Sequence, residues 1–435
     1  MEVKKIAVIG MGYVGLPLAC LFARKYKVVG FDVNKKKTQK LLEGFDDTGT
    51  YTEKELQASF DQGLEVTSEE QALDACNVFI VAVPTPVDEH HRVDLKPLLG
   101  ASEVVGRYLG KGDVVIYEST VYPGATEDDC VPVLERESGL KFNEDFFAGY
   151  SPERVNPGDK VHTVKTIVKI TSGSTPETAT FVDKLYSSVL ENGTYKAPSI
   201  RVAEAAKIVE NCQRDVNIAF MNEINRIFQA MDINTRDVLE AAATKWNFIK
   251  MEPGLVGGHC IGVDPYYLIQ RAEDYSVDAD LLSTARRVNE RVGRYVADRV
   301  VNEVGRKAWK GGCNVLILGC TFKENCNDIR NSKVADIVAG LSEKGVCPVI
   351  CDPYLDESEM DAFLSTVKVK PGKRVNALQV SPSEGSPYDA VILCVKHREF
   401  ADLDVEKLLA PDGLLYDLKG FYRQKYGNKD FYREI

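Results

Sequence analysis

The sequence lacks several features that would each place it in a definite class of protein. Its 11 cysteines form no CxxC pair, its 5 histidines show no metal-ligand spacing, and neither a P-loop nor a GxSxG motif is present. Scattered cysteines in a chain of this length indicate reduced cytosolic thiols, one of which could be chemically special. No block rich in lysine and arginine stands out, and the formal net charge is −11. We therefore expect no nucleic-acid partner and no bound metal.

Long apolar segments are also missing. Lys4 and Lys5 precede an apolar run over residues 6–22 that superficially resembles a bacterial lipoprotein signal, but three glycines interrupt it. The helical pattern also continues past Cys20 to Arg24. No other segment approaches the roughly 20 apolar residues of a membrane span. The sequence therefore predicts a cytoplasmic protein.

Strand-like and helix-like segments alternate along most of the 435 residues. This length favours two or three domains of roughly 100–200 residues each. Short apolar runs separated by longer amphipathic stretches are typical of parallel sheets built from βαβ units. The runs lie at residues 6–9, 28–31, 78–83 and 114–117, and again at 315–318, 346–351, 390–395 and 414–416. We predict an α/β protein with two Rossmann-like, doubly wound domains.

The middle of the chain has a different pattern. Over residues 201–231 the apolar residues recur every three to five positions, the spacing of a long buried helix. Helical pattern returns at 235–244 and 279–304, whereas four glycines predict a loop over 252–265. We therefore expect a central helical domain whose long helix forms the interface of a homodimer or a higher homo-oligomer. The predicted domain boundaries are 1–200, 201–300 and 301–435.

A glycine motif, Gly10-x-Gly12-x-x-Gly15, follows the first predicted strand and opens the next helix. Such glycines allow a tight turn and bring a pyrophosphate close to the helix N-terminus, where the helix dipole favours anions. Asp32 ends the second strand, and the offset of 32 − 10 = 22 residues is typical of a carboxylate that binds the ribose of NAD. The lysines at residues 35–37 leave NADP open. The structural alternative is a turn beside a surface aspartate.

Two threonines stand at predicted strand ends. Thr85 lies in Val83-Pro-Thr-Pro86, and Thr120 lies in Glu118-Ser-Thr. In open α/β sheets ligands bind outside the carboxyl ends of the strands, so both side chains could face a cofactor. Taken singly, each threonine also fits an ordinary turn residue.

A glycine-rich loop carries a cysteine, in the run Gly257-Gly-His-Cys-Ile-Gly-Val-Asp264-Pro. Small neighbours leave room for the Cys260 sulfur to reach a ligand, and a thiolate forms thiohemiacetals and thioesters with carbonyl carbon. Asp264 could orient a base, a water or a lysine. The alternatives are a small buried cysteine in a packed turn, and a His259 that either lowers the thiol pKa or caps a backbone carbonyl.

Positive and amide side chains complete the candidate set. Lys207 and Asn211 are four residues apart on the long predicted helix, where an ammonium and an amide on one face could stabilise an oxyanion. The alternative is a solvated stripe of that helix. Lys323 and Arg330 follow the predicted strand at 315–318 and could hold phosphate at that sheet edge.

Taken together, these motifs resemble one family, the nucleotide-sugar 6-dehydrogenases (the UDP-glucose/GDP-mannose dehydrogenase family). The matching elements run in family order over most of the chain. They are Gly10-Met-Gly12-Tyr13-Val14-Gly15-Leu-Pro17, Val83-Pro-Thr85-Pro86, Glu118-Ser-Thr120, Ser151-Pro-Glu153-Arg154, Glu204-Ala-Ala-Lys207-Ile-Val-Glu-Asn211, Gly257-Gly-His-Cys260 with Asp264, and Phe322-Lys323 with Asp328-Ile-Arg330.

The resemblance implies a four-electron oxidation of a sugar C6 hydroxyl to a carboxylate, with two NAD used in turn. Cys260 is similar to the family nucleophile that traps the aldehyde as a thiohemiacetal, which then becomes a thioester. Lys207 and Asn211 would stabilise the oxyanions. Asp264, with Thr120 and a water, would supply acid–base chemistry. The last catalytic residue implied by the family is Glu153, which would assist hydrolysis of the thioester.

The family also implies ligand contacts and domain roles. The expected cofactor contacts are Gly10, Gly12, Tyr13, Val14, Gly15, Asp32, Lys37, Thr85, Thr120 and Arg330. The expected substrate contacts are Glu153, Arg154, Lys207, Asn211, Gly257 and Lys323. Under the same resemblance, residues 1–200 bind NAD, residues 201–300 form the dimer, and residues 301–435 bind the nucleotide sugar.

The identity of the sugar is the least specific expectation. The residues around Arg154 resemble the branch that acts on UDP-N-acetylhexosamines, and Asn156-Pro-Gly-Asp159 favours UDP-GlcNAc or UDP-GalNAc over UDP-ManNAc. Two departures from the branch are Gly262, in place of a proline, and Val263, in place of a lysine that other branches direct at NAD. The product would supply precursors for surface polysaccharide. The alternatives are a UDP-glucose, UDP-ManNAc or GDP-mannose dehydrogenase, a two-electron dehydrogenase of small hydroxy acids, and a non-catalytic NAD-binding protein.

Overall fold

The structure is a computed structural model that describes residues 1–88, 91–155, 163–258, 260–305, 312–346, 348–369, 381–383 and 387–434. The chain forms two compact units. The first contains Met1–Asn211 and Tyr266–Asp278, and the second contains the other described residues. This division differs from the three domains expected from the sequence, whose boundaries stay a prediction.

The first unit is built on an eight-stranded sheet. Its strands are β1 (Ile6–Ile9), β2 (Val28–Phe31), β3 (Leu64–Thr67), β4 (Val78–Val81), β5 (Val114–Tyr117), β6 (Phe147–Tyr150), β7 (Lys169–Gly173) and β8 (Thr194–Lys196). They lie in the order β3-β2-β1-β4-β5-β6-β7-β8, and neighbours are parallel except β6 and β7. The order reverses between β1 and β4, and open α/β sheets commonly bind ligands at the carboxyl ends of the strands at such a reversal.

Helices cover this sheet and close its core. They are α1 (Gly15–Ala23), α2 (Lys35–Leu42), α3 (Glu53–Asp61), α4 (Lys96–Tyr108), α5 (Val131–Ser138) and α6 (Pro176–Ser187). Every residue of α1 is buried, because its sequence is apolar on all sides and it packs in the core with β1 and α6. A helix buried in this way holds its first turn in a fixed position beside the carboxyl end of β1.

Five central helices follow in the chain. They are α7 (Ile200–Ala230), α8 (Thr235–Ala242), α9 (Asp264–Asp274), α10 (Asp280–Glu290) and α11 (Val292–Val304). The long helix expected at 201–231 is therefore present. The single helical pattern expected over 279–304 is divided in two at Arg291. The loop predicted over 252–265 ends two residues early, because α9 already begins at Asp264.

The second unit contains a smaller parallel sheet. Its strands are β9 (Val315–Leu318), β10 (Val349–Cys351), β11 (Tyr388–Leu393), β12 (Leu409–Asp417) and β13 (Tyr432–Glu434), in the order β10-β9-β11-β12-β13. Its further helices are α12 (Val334–Glu343), α13 (Glu357–Ser365) and α14 (Arg423–Tyr426). One face of the sheet packs against Val296 and Ile337, and the other against Phe400 and Tyr422. The predicted α/β class with two Rossmann-type sheets is confirmed.

Two further properties of the described part of the chain concern membranes and metals. None of its helices is both long and apolar enough to span a bilayer. Within the same residues, no group of three or more His, Cys, Asp or Glu side chains is placed to hold a metal ion.

Candidate active site

The glycine motif forms the turn between β1 and α1. Gly10 has φ +95, and a Cβ atom added to Gly15 would lie 1.7 Å from the Gly10 carbonyl oxygen. Side chains at these two positions are therefore excluded by the backbone. A Cβ atom at Gly12 would meet nothing within 4 Å. The turn consequently presents bare backbone at the first turn of α1, which suits a pyrophosphate.

Asp32 lies directly after β2 and faces this turn. Its Oδ2 atom accepts hydrogen bonds from the backbone N–H of Met11 at 3.0 Å and from Lys37 Nζ at 3.1 Å. Asp32 is 8% exposed, so the surface-aspartate alternative is wrong. A carboxylate fixed in this way beside the glycine turn fits the ribose hydroxyls of NAD, and Lys37 lies within reach of the same position.

The two candidate threonines are neighbours. Thr85 Oγ1 donates a hydrogen bond to the Thr120 carbonyl oxygen at 2.7 Å, and Ser119 Oγ donates to the Val83 carbonyl at 2.6 Å. The hydroxyl of Tyr267, on α9, donates to the Thr85 carbonyl. These bonds join the segments that follow β4 and β5, so both threonines lie at the carboxyl edge of the sheet as predicted.

Lys207 and Asn211 are buried on α7, with exposures of 7% and 6%. The solvated-stripe alternative is therefore wrong. Glu204, one turn earlier, is fully buried and accepts hydrogen bonds from the backbone N–H groups of Gly124 at 2.5 Å and Thr126 at 3.0 Å. Burial raises the pKa of Glu204 to about 7. Glu204 thus ties the start of α7 to the segment that follows Thr120.

Glu153 and Arg154 lie in the segment after β6. Glu153 Oε1 accepts the backbone N–H groups of Arg154 and Val155, each at 2.6 Å. The Arg154 guanidinium lies 2.7 Å from Glu210 Oε1 and donates to the Val168 carbonyl, also at 2.7 Å. This places Arg154 against α7, next to the turn that carries Asn211. The residues Asn156 to Asp159, which bear on the choice of sugar, lie outside the described residues.

Cys260 is the exposed thiol in the second unit, so the buried-turn alternative is wrong. Every other described cysteine is buried or half-buried, and burial raises the pKa of Cys212 and of Cys351 to about 12. The carbonyl of Cys260 accepts the backbone N–H of Asp264 at 2.8 Å, which joins the cysteine to the start of α9. Asp264 itself is 3% exposed. His259 lies outside the described residues.

Asn331 holds the glycines that precede this cysteine. Its Nδ2 atom donates to the Gly258 carbonyl at 2.8 Å, and its own carbonyl accepts the Gly258 N–H at 3.3 Å. A Cβ atom at Gly257 would lie 2.5 Å from the Asn331 carbonyl oxygen. Gly257 therefore allows two backbones to approach closely. The sequence analysis missed Asn331, although it lies directly after the quoted Asp328-Ile-Arg330.

Lys323 and Arg330 lie in the segment after β9, as predicted. The Arg330 guanidinium binds Asp328 through two bonds, at 2.8 and 2.5 Å, and its side chain is 48% exposed. The carbonyl of Lys323 accepts the Thr321 hydroxyl at 2.9 Å. Both cations thus stand on a segment shaped by its own hydrogen bonds.

A buried pair under this segment was also missed. Asp352 accepts the backbone N–H groups of Cys320 at 2.7 Å and Thr321 at 3.2 Å, and it lies 3.2 Å from His397 Nε2. His397 Nδ1 accepts the Asn325 N–H at 3.0 Å. The available signal was the position of Asp352 directly after a buried strand, the same position that drew attention to Asp32.

The comparisons with known proteins cover nearly the whole chain. Three profiles of the UDP-glucose/GDP-mannose dehydrogenase family match: its NAD binding domain at residues 4–190, its central domain at 201–291 and its UDP binding domain at 316–424. A UDP-N-acetyl-D-glucosamine 6-dehydrogenase from Pseudomonas aeruginosa is 52% identical over 96% of this chain and 97% of its own. The enzyme of the same name from Salmonella typhi is 47% identical over 95% of this chain and 96% of its own.

A solved structure agrees with this relationship. The UDP-D-ManNAc dehydrogenase from Pyrococcus horikoshii superposes with a TM-score of 0.85 at 30% identity, and 99% of each chain is covered. The chain therefore belongs to the UDP-glucose/GDP-mannose dehydrogenase family and is an NAD-dependent nucleotide-sugar dehydrogenase.

Proposed function

We propose that this enzyme oxidises the C6 hydroxyl of UDP-N-acetyl-D-glucosamine to the carboxylate. The support is the name of the two relatives at 52% and 47% identity, against about 30% for relatives named for N-acetylmannosamine or N-acetylgalactosaminuronic acid. UDP-GalNAc is the second candidate, on the sequence argument from residues 156–159. The product would serve as a precursor for surface polysaccharide, made in the cytoplasm by a homodimer or higher homo-oligomer joined through the central helices.

The cofactor would be held by the glycine turn and Asp32, with Tyr13, Val14 and Lys37 beside them. NAD, when bound, supplies the hydride acceptor for each of the two oxidations. The Asp32 carboxylate would accept the ribose hydroxyls and disfavour the additional phosphate of NADP. Further contacts would come from Thr85, Thr120 and Arg330.

Cys260 would make the four-electron reaction possible without release of the aldehyde. In the first oxidation, Asp264 and Thr120, acting through a water, remove the proton of the C6 hydroxyl. The Cys260 thiolate then adds to the aldehyde carbon and forms a thiohemiacetal, which the second oxidation converts into a thioester. Lys207 and Asn211 stabilise the negative oxygen on C6 in both steps, because a buried ammonium and amide act there with little screening by water.

Hydrolysis would complete the cycle. A water oxygen forms a bond to C6 while Glu153 accepts a proton from that water. The bond between C6 and sulfur then breaks, the electron pair stays on sulfur, and the Cys260 thiolate is restored. Arg154, Gly257 and Lys323 would hold the nucleotide sugar during these steps.

The single observation that carries this proposal is the exposed Cys260 on a loop held by Asn331, four residues before the buried Asp264. A panel of UDP-GlcNAc, UDP-GalNAc, UDP-ManNAc, UDP-glucose and GDP-mannose, each with NAD and with NADP, tests it by NADH absorbance. We expect the highest kcat/KM for UDP-GlcNAc with NAD, and two NADH for each sugar consumed. One NADH with release of an aldehyde would contradict the thioester mechanism, and a preference for UDP-glucose would contradict the substrate.

The Cys260→Ser variant gives a direct test of the nucleophile. We expect it to lose steady-state turnover or to stall after the first oxidation, because a hydroxyl at this position is far less nucleophilic than a thiolate. The matched control is Cys76→Ser, since Cys76 is buried and only its weak bond to the Ala72 carbonyl changes. Full activity in Cys260→Ser would refute the assignment.

A further inference from the structure

A fully buried ion pair lies inside the first unit, beside the segment that carries Glu153. Lys169, the first residue of β7, donates from Nζ to Glu118 Oε2 at 2.6 Å, and both side chains are 0% exposed. Tyr186, on α6, donates its hydroxyl to the other oxygen of Glu118 at 2.5 Å. The Lys169 ammonium also lies 5.6 Å from the centroid of the Tyr186 ring. Both oxygens of Glu118 therefore have a donor, and the lysine is anchored.

The ammonium has two further neighbours, and both belong to the segment that carries Glu153. Lys169 Nζ donates to the Pro152 carbonyl at 3.1 Å and lies 3.9 Å from Glu153 Oε2. Glu153 Oε1 is held by the backbone N–H groups of the two residues that follow it. One oxygen of Glu153 is thus held by backbone and the other faces the ammonium. Glu153 keeps 14% of its side chain exposed, so it can still meet water.

Burial of such a pair is poorly explained by stability alone. The loss of hydration when two charges are buried cancels most of their attraction, so apolar side chains of similar volume often stabilise a core equally well. Burial raises the pKa of Glu118 to about 7, and the Lys169 charge opposes that rise. The Lys169 ammonium therefore faces two carboxylates, Glu118, which is wholly buried, and Glu153, which reaches solvent.

We propose that Lys169, anchored by Glu118, is a positioning residue that holds Glu153 for hydrolysis of the thioester, an inference that rests on the proposed function. Glu118 and Tyr186 fix the ammonium, the ammonium fixes the Pro152 carbonyl and Glu153 Oε2, and Glu153 takes the proton of the attacking water. The role is confined to the last step, since Lys169 has no part in either oxidation.

Two variants test this role. Lys169→Met removes the cation and leaves the buried Glu118 without its ion-pair partner, which can prevent folding. The double variant, Glu118→Gln with Lys169→Met, removes both charges of the pair and should therefore keep its fold. The matched control is Lys165→Met, which removes a lysine four residues earlier whose partner is Glu191 at the surface. Steady-state kinetics with UDP-GlcNAc, a single-turnover burst of NADH and intact-mass spectrometry are the readouts.

We expect the double variant to produce both equivalents of NADH in a single turnover, with little change in KM for UDP-GlcNAc or NAD. Its kcat should fall by about 10- to 100-fold, since a displacement near 1 Å at a reacting group can cost roughly 100-fold. The acyl group should accumulate on Cys260 as an added mass. A purely structural role would not separate deacylation from the oxidations. Lys165→Met should match the wild type in every readout.

The outcomes separate the two proposals. A double variant that hydrolyses its thioester at the wild-type rate, or that loses both oxidations equally, would overturn the positioning role. Wild-type enzyme that releases one NADH per sugar, or that needs no Cys260, would instead overturn the proposed function.

Discussion

We expect a single added methyl group, in Gly257→Ala, to impair the Cys260 loop while NAD binding stays intact. The new Cβ atom would lie 2.5 Å from the Asn331 carbonyl oxygen, about 1 Å inside normal contact, and the atom that it meets belongs to the backbone. Relief of this overlap requires the Cys260 loop and the backbone at Asn331 to move apart by about 1 Å. Overpacking of this kind typically costs about 1–3 kcal/mol of folding free energy. A displacement near 1 Å at a reacting group can lower the rate by roughly 100-fold.

Kinetics and binding together test this prediction. The kcat/KM for UDP-GlcNAc should fall by about 10- to 100-fold, while the affinity for NAD, measured by titration calorimetry, should match the wild type. The matched control is Gly254→Ala in the same loop, where the nearest atom to a new Cβ is the flexible end of Lys419 at 3.9 Å. The steric reasoning would be refuted by normal kcat/KM in Gly257→Ala, or by equal defects in both variants.

Three further predictions follow from the described geometry. Asp32→Ser should raise the KM for NAD about ten-fold or more and permit NADP, because the carboxylate is lost while Lys37 stays nearby; initial rates with each cofactor measure this. Burial raises the pKa of Glu204 to about 7, so its stabilising contribution is complete below the unfolded pKa and is lost as the pH rises through 7. Between about pH 5 and about pH 8, the free energy of unfolding in urea should therefore fall by up to ~3 kcal/mol more for the wild type than for Glu204→Gln. An equal change in unfolding free energy for the two proteins would contradict this. Iodoacetamide near neutral pH should label Cys260 before any other described cysteine, as peptide mapping would report, because burial raises the pKa of several of the others.

The fold could be predicted largely from the sequence because its central strands are buried on both faces. Runs such as Ile6–Ile9 and Val315–Leu318 are apolar at every position and buried at every position, which gives a strong local signal. The short edge strands Leu64–Thr67 and Thr194–Lys196 carry exposed residues and gave no such signal. The antiparallel pairing of β6 and β7 depends on the topology of the chain and not on a local pattern.

The candidate site also has features that the sequence predicts and features that it does not. Residues in compact motifs, such as Gly10 and Asp32, were found because their spacing is local. The contacts that hold the motifs in place were not predicted, since Glu204 meets its backbone donor 80 residues away and Lys169 meets Glu118 across 51 residues. No periodicity or spacing encodes such contacts. They become visible only when the strands are aligned in a sheet and their carboxyl ends meet.

The two sheets also show how one architecture supports different sites. Asp32 and Asp352 each follow the second strand of their unit and accept backbone N–H groups from the turn after the first strand. Asp32 keeps 8% exposure, with the partly exposed side chain of Lys37 beside it, whereas Asp352 is 0% exposed and is covered by His397. A ribose hydroxyl could reach Asp352 only by displacing the His397 that covers it, and the loss of a buried hydrogen bond costs about 1–3 kcal/mol. The same position therefore stays open at the turn where we propose that NAD binds in the first unit, and supports the segment before Lys323 in the second.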